Sequence, residues 1–156
     1  MVKKGVIYIL SVFLLGISCQ SRNVQNKMLF KCIIFPTGIT SETYLIKVFK
    51  NGQFDVDYGI KTSSLEQENF DSIVNTKSVV LNNADIKSIK ELHSKVSELS
   101  SIEKKNIRKG GWEIVLITDN KRYHFYYGEY NNTPLGLLIE DIIRKSPIIL
   151  NLHSWS

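Results

Sequence analysis

The spacing of apolar residues alternates along the chain between a strand-like and a helix-like period, and it predicts the elements in turn. Residues 29–35 form an almost continuous apolar run, which predicts a buried strand. Residues 43–49 and 54–58 are two further strand-like runs on either side of Asn51-Gly52. Asn-Gly is the dipeptide most typical of a two-residue hairpin turn, because both residues tolerate positive φ. The first part of the domain is therefore predicted to be a strand followed by a hairpin.

A two-residue turn at Asn51-Gly52 fixes the register of that hairpin. It pairs Phe49 with Phe54 and Leu45 with Tyr58. Because side chains alternate between the two faces of a strand, every second residue from Phe54 to Tyr58 then faces the core.

The middle of the chain contains one clear helix. Residues 59–76 have no decisive period and are predicted to be either a weak helix or a folded loop, and residues 78–81 a short strand. Asn82-Asn83 offers N-caps for the helix that follows, with Asp85 in its first turn. Apolar residues recur every three or four positions along it and form one stripe: Ile86, Ile89, Leu92, Val96 and Leu99.

A second hairpin is predicted for residues 112–118 and 121–127, around Asp119-Asn120. In this register six large side chains share one face: Trp112, Ile114 and Leu116 across from Tyr127, Phe125 and Tyr123. Because aromatic side chains bury large apolar areas, this face is predicted to be the centre of the core.

A final helix is predicted to begin at Thr133-Pro134, with Thr as N-cap and Pro at the first helical position. Its apolar stripe consists of Leu135, Leu138, Ile139, Ile142 and Ile143. Pro147 ends it, and residues 148–152 are predicted to be a last strand. The predicted fold class is α+β: an antiparallel sheet of about five to seven strands with two main helices packed on one face.

The N-terminal segment has a different character. Lys3-Lys4 precedes the apolar run of residues 6–17, which has the length of a signal-peptide core and is short for a membrane span. The run leads into Leu14-Leu15-Gly16-Ile17-Ser18-Cys19. This segment resembles a bacterial lipoprotein signal peptide, in which a small residue precedes the lipid-bearing cysteine. Gly16 stands where that family usually has an aliphatic residue.

The resemblance implies that Cys19 receives a diacylglyceryl group and becomes the first residue after cleavage. Two or more acyl chains are what stable anchoring requires. The chain then divides into a signal peptide (1–18), a lipidated flexible tether (19–28) and a single α+β domain (29–156). The implied location is the bacterial cell envelope, with the outer membrane favoured. Secretion of a soluble protein after cleavage near Ser18 is the alternative.

Composition and charge add limits rather than detail. A content of 43% apolar and 22% charged residues is ordinary for a globular domain. Removing Lys3 and Lys4 with the signal peptide lowers the formal net charge from +5 to +3. That excess is too small to indicate nucleic-acid binding.

Reactive side chains are few. Cys32 lies in the first apolar run and is predicted to be a small buried side chain without a disulfide partner. His93, His124 and His153 have no second ligand at metal-binding spacing, so neither a metal nor another cofactor is predicted. The Gly-x-Ser-x-Gly motif of many serine hydrolases does not occur.

Two features are candidates for binding or modification. Lys104, Lys105, Arg108 and Lys109 form a basic loop suited to lipid phosphate, an acidic glycan or an acidic protein, although a solvated loop is the plainer alternative. Asp71-Ser72-Ile73 resembles the Asp-Ser/Thr-aliphatic acceptor for O-glycosylation in envelope proteins of Bacteroidota. That resemblance implies that Ser72 is exposed and modified.

These features predict a membrane-anchored envelope lipoprotein that binds a protein or glycan partner without catalysis. One alternative is a small periplasmic hydrolase with a site assembled from His93, His124, Asp55, Asp57 or Glu113. A deep pocket holding two of these five would favour it. Another is a structural or assembly lipoprotein with no single partner. A contiguous exposed aromatic patch would favour the binding protein.

Overall fold

The structure, a computed structural model, describes residues 27–37, 42–62, 69–103 and 110–152. Along the chain the elements are β1 (Met28–Pro36), β2 (Glu42–Phe49), β3 (Gln53–Ile60), β4 (Ser72–Val80), α1 (Asn83–Ser97), β5 (Trp112–Ile117), β6 (Arg122–Tyr126) and α2 (Pro134–Lys145). These residues form one open antiparallel sheet of six strands and two helices, which confirms the predicted α+β class.

The strand order is β4-β3-β2-β1-β5-β6. The first four strands form a meander, and α1 then carries the chain from β4 back across the sheet to β5, which pairs with the other side of β1. β6 completes the second hairpin, and α2 packs beside α1. In the described part of the chain, β4 and β6 are therefore the two edge strands.

The main core lies between the sheet and the two helices. Its largest fully buried side chains come from both layers: Phe30, Ile34, Ile46, Phe54, Ile114, Leu116 and Tyr123 from strands, and Ile89, Leu135, Leu138, Ile139 and Ile142 from helices. A smaller cluster of Ile33, Leu45 and Val115 is buried on the opposite face, which we call the open face. Cys32 belongs to the main core, and its burial raises the pKa of its thiol.

The predicted register of the first hairpin is wrong by one residue. Val48, not Phe49, pairs with Phe54. Gly52 has φ 92°, and its N–H donates to the oxygen of Phe49 (3.0 Å), so the connection has three residues instead of two. A one-residue shift exchanges the faces of a whole strand. It places Ile46 beside Val56 in the core, where the two-residue turn would have placed Lys47.

The second hairpin has the predicted register, with Ile114 opposite Phe125 and Leu116 opposite Tyr123. Trp112 is buried with them, but Tyr127 is not, because it lies in the turn after β6 and is 42% exposed. Five of the six predicted side chains therefore form the centre of the core.

Both helices start where predicted. The Asn82 side chain accepts a hydrogen bond from the N–H of Asp85, and the Thr133 side chain accepts one from Gly136. At its other end α1 is held to β6, because the Tyr123 hydroxyl donates to the oxygen of Val96 (2.8 Å). Side chains from the second hairpin thus fix α1 on the sheet.

Two segments differ from prediction. Within residues 59–76, β3 extends to Ile60 and β4 already begins at Ser72, so the second part of this segment is neither helix nor loop. Residues 148–152 are not a strand: no ladder pairs them with the sheet, Ile148 is buried in the core, and Leu150 and Leu152 are partly buried against it.

Candidate functional site

The two edge strands differ in whether other described residues cover their outer side. Ile102 lies along the outer side of β6, where its N–H donates to the oxygen of Arg122 (3.2 Å) and its oxygen accepts from the N–H of His124 (2.8 Å). This short parallel bridge occupies backbone groups that would otherwise be available to another strand. No described residue covers the outer side of β4 in this way.

β4 is exposed along its whole length, on both faces. Ile73 is 58% exposed, Val74 63% and Val80 77%. With Val79, these are four of the seven large exposed apolar side chains in the described ranges. An exposed apolar strand at a sheet edge is a template for pairing with another chain.

The hydrogen bonds show which backbone groups of β4 are available. The N–H of Leu81 donates to the oxygen of Gly52 (2.9 Å), so it points towards β3. In an antiparallel ladder alternate residues face the same neighbour, so Lys77 also points its backbone groups at β3. Thr76 and Ser78, one position out of phase, turn their N–H and C=O groups away from β3 and towards solvent.

Side-chain hydrogen bonds hold β4 on β3 from the open face. The Ser78 hydroxyl donates to Asp55 (2.5 Å), and the Thr76 hydroxyl donates to Asp57 (2.8 Å). Gln53 also donates to both carboxylate oxygens of Asp55. The two aspartates, considered above as catalytic candidates, therefore act as acceptors that fix the edge strand.

A groove of about 500 Å³ lies beside β4 on the helix side. Its lining residues come from β2, β3, β4 and the segment after α2: Tyr44, Tyr58, Val74, Asn75, Lys77, Pro147, Ile148, Ile149 and Asn151. Lys77 is the one charged side chain in that lining. Ile149 stands at the rim and is 83% exposed.

Two stacked tyrosines form the wall of this groove nearest the core. The rings of Tyr44 and Tyr58 are 4.7 Å apart between centroids and 20° from parallel. Burial and the nearby charge of Glu42 raise the pKa of Tyr58. The hydroxyl of Tyr44 accepts a hydrogen bond from the N–H of Asn151 (3.4 Å), which ties the C-terminal segment to the sheet.

A histidine–glutamate pair lies on the open face. Nε2 of His124 is 2.7 Å from a carboxylate oxygen of Glu113, and both side chains are largely buried. The carboxylate orients the imidazole, as it would in a proton-transfer site. His93 lies on the opposite side of the sheet, stacked on Phe30 at 5.5 Å. Of the five catalytic candidates, the structure therefore brings only Glu113 and His124 into contact.

Three surface cavities lie away from that pair. Besides the groove at β4, one of 420 Å³ lies along α1 at Ile86 and Lys90, and one of 340 Å³ lies between the helices at Leu92 and Asp141. Their linings contain neither Glu113 nor His124. The arrangement at the edge of the sheet is suited to binding an extended molecule, because a backbone edge, apolar side chains and a groove lie together.

The remaining candidate residues have different outcomes. Ser72 is exposed at the start of β4, and its glycosylation stays a prediction. Cys19 and the basic loop of Lys104, Lys105, Arg108 and Lys109 lie outside the described residues.

Sequence reasoning predicted only the end of β4, as a short strand at residues 78–81, and missed residues 72–77 of this main element of the candidate site. Its signal was composition: five of its nine residues are β-branched, and it contains neither Gly nor Pro.

Among the described residues, no group of three or more His, Cys, Asp or Glu side chains is arranged to hold a metal ion. No helix in the described ranges has the length and apolarity needed to cross a membrane. Comparison of the chain with protein-family models, curated proteins and solved structures found no match.

Proposed function

We propose that the mature protein is a lipid-anchored binding module of the bacterial cell envelope. Cys19 holds it in the membrane, and the side of the domain that carries β4 engages a partner protein. The observation that carries the binding role is the edge of β4, which no described residue covers and which bears four exposed apolar side chains. Exposed apolar clusters at a sheet edge are costly to keep in solution, so a protein that retains one gains from covering it.

The anchor is supported by the order of features at the N-terminus. A basic pair, an apolar run and a small residue precede Cys19, and polar residues 20–27 separate it from the first strand. This order leaves the folded domain outside the bilayer, with its surfaces accessible to other envelope proteins.

The anchor is tested by exchanging each cysteine separately. Cys19→Ala should release the protein from washed membranes into the soluble fraction. Cys32→Ala, the matched control, removes a thiol that is buried in the core and should leave the protein in the membrane fraction. If the Cys19→Ala variant stays in the membrane fraction, the proposed lipid anchor at Cys19 is wrong.

The binding role is tested by purification from native membranes in mild detergent through a C-terminal tag. The proposal expects one protein to be retained in a fixed ratio, and to be recovered again after chemical cross-linking. A chain that remains solitary in both preparations contradicts a binding module.

A further inference from the structure

We infer that β4 receives an extended segment of the partner protein as an added strand, and that this segment places an acidic side chain beside Lys77. The inference depends on the proposed binding role and adds to it the mode of binding and the chemistry of the partner. Three features of the described residues support it: outward backbone groups, a groove for side chains, and a single unpaired charge.

The backbone of β4 can form a second ladder. Thr76 and Ser78 direct their N–H and C=O groups away from β3, as the bond from Leu81 to Gly52 requires. A strand added there gains main-chain hydrogen bonds without displacing any described contact. This is the usual way in which peptide strands extend a sheet, with affinity from the main chain and specificity from pockets for alternate side chains.

The groove beside β4 provides such a pocket. Val74, Asn75 and Lys77 of the strand form one side, and Ile149 and Asn151 form the other. Alternate side chains of an added strand point into this space. The apolar rim at Val74 and Ile149 suits an apolar side chain, and the amides suit a polar neighbour.

Lys77 determines the charge of the partner. It is the one charged residue of β4 and of the groove lining, and it forms no salt bridge with any described residue. An acidic side chain on the facing strand would approach it within about 5 Å, the separation of directly opposed residues in a ladder. The partner segment should therefore carry an Asp or Glu and an apolar residue two positions apart, so that both side chains lie on the face of the groove.

The same lysine disfavours a second copy of this chain. Lys77 is one position from the middle of β4. Antiparallel pairing of two β4 strands around a two-fold axis would bring both Lys77 side chains to the same face within roughly 8 Å. Like charges at that separation oppose the pairing, and lysine on an edge strand is a common protection against self-association.

A matched pair of substitutions tests the outward N–H of Ser78 separately from its hydroxyl. Ser78→Ala and Ser78→Pro both remove the hydroxyl that bonds Asp55. Only proline also removes the outward N–H, and proline is tolerated on edge strands where that N–H faces solvent. Lys77→Glu reverses the charge at an exposed position and serves as a second variant that does not depend on how Ser78→Pro folds.

The probe is a phage-displayed library of random twelve-residue peptides, selected on the detergent-purified mature protein. Wild type should select peptides in which an acidic and an apolar residue stand two positions apart, on one face of the added strand. A synthetic peptide of that consensus should bind Ser78→Ala as it binds wild type, and should bind folded Ser78→Pro about tenfold more weakly, as expected for the loss of one main-chain hydrogen bond. Lys77→Glu should also weaken it, and should select basic peptides instead.

Four outcomes would overturn the inference. If the selected peptide binds Ser78→Ala and folded Ser78→Pro equally well, it does not pair with the outward backbone of β4. If Lys77→Glu selects the same peptides as wild type, the charge of Lys77 does not determine the charge of the partner. Self-association of wild type that Ser78→Pro abolishes identifies a second copy as the occupant. A native partner retained by all variants would also refute the inference, while leaving the proposed binding role intact.

Discussion

Replacing Asp141 with asparagine should destabilise the domain by about 2–4 kcal/mol. The Asp141 carboxylate is 4% exposed and accepts hydrogen bonds from Lys145 (2.5 Å), from Arg144 and from the Ser88 hydroxyl of α1 (3.2 Å). Lys145 is also mostly buried, and it lies 3.1 Å from Asp85. This network joins the two helices, so removing its central charge leaves a buried ammonium with one acidic partner.

The magnitude follows from which partners remain. Removing one member of a buried ion pair costs about 3–5 kcal/mol, because the other charge is left uncompensated. Here Asp85 still neutralises Lys145 in part, and Arg144 is mostly exposed, which lowers the expected cost. Asp85→Asn is the matched control. Its side chain is about one-third exposed, so its loss should cost less than about 1 kcal/mol.

The pH dependence has a definite sign. Burial alone would raise the pKa of Asp141, but the hydrogen bonds from Lys145 and Arg144 outweigh it and lower that pKa. The carboxylate therefore adds stability above its unfolded pKa of about 3.9, and this contribution is lost as the pH falls through the folded pKa. For Lys145, burial alone would lower the pKa, but the hydrogen bonds to Asp141 and Asp85 outweigh it and raise that pKa. Its contribution is present below about pH 10 and is lost at higher pH.

Urea unfolding of wild type and Asp141→Asn, followed by circular dichroism from pH 3 to pH 9, measures this difference. The free-energy gap should be constant near neutral pH and should narrow below about pH 4. A gap under about 0.5 kcal/mol at pH 7, or one that does not change on acidification, refutes the network as a stabilising contact.

Other predictions concern single positions. Gly59→Ala should cost about 1–3 kcal/mol and speed hydrogen exchange at the start of β4, because the new Cβ would lie 2.2 Å from the oxygen of Ser72; unchanged exchange there would contradict it. Cys32, fully buried with a raised pKa, should resist iodoacetamide in the folded protein and react fully in urea. Burial lowers the pKa of His93, so its NMR titration midpoint should lie below about 6.5 and stability should fall as the pH drops below that value; a midpoint above it would refute the buried position.

Sequence patterns were sufficient to predict the helices and the second hairpin, because the caps, the apolar stripes and the turn all indicate the same elements there. They failed at the first hairpin, where Asn51-Gly52 suggested a two-residue turn. Gly52 alone takes positive φ, and the side chain of Asn51 instead accepts a hydrogen bond from Gln53 (3.1 Å). The burial of Ile46 and Val56 on one face decides the register, and that depends on the tertiary core.

Most of the edge strand β4 was missed for a related reason, and only its end at residues 78–81 was predicted as a strand. Alternation of apolar and polar residues reports a strand with one buried face, and β4 has none. Its β-branched residues indicated a strand, but only the ladder to β3 shows that it is an edge. The contact between Glu113 and His124 was equally invisible, since it joins two strands diagonally.

The most direct test is a photo-crosslinking residue introduced at Val80 in living cells, with Leu137 of α2 as control. Both positions are exposed, but only Val80 lies on the β4 side of the domain. A binding module that uses β4 should give one discrete heterologous adduct from Val80 and none from Leu137. The absence of an adduct at Val80, the same adduct at both positions, or one with twice the mass of the chain would contradict it.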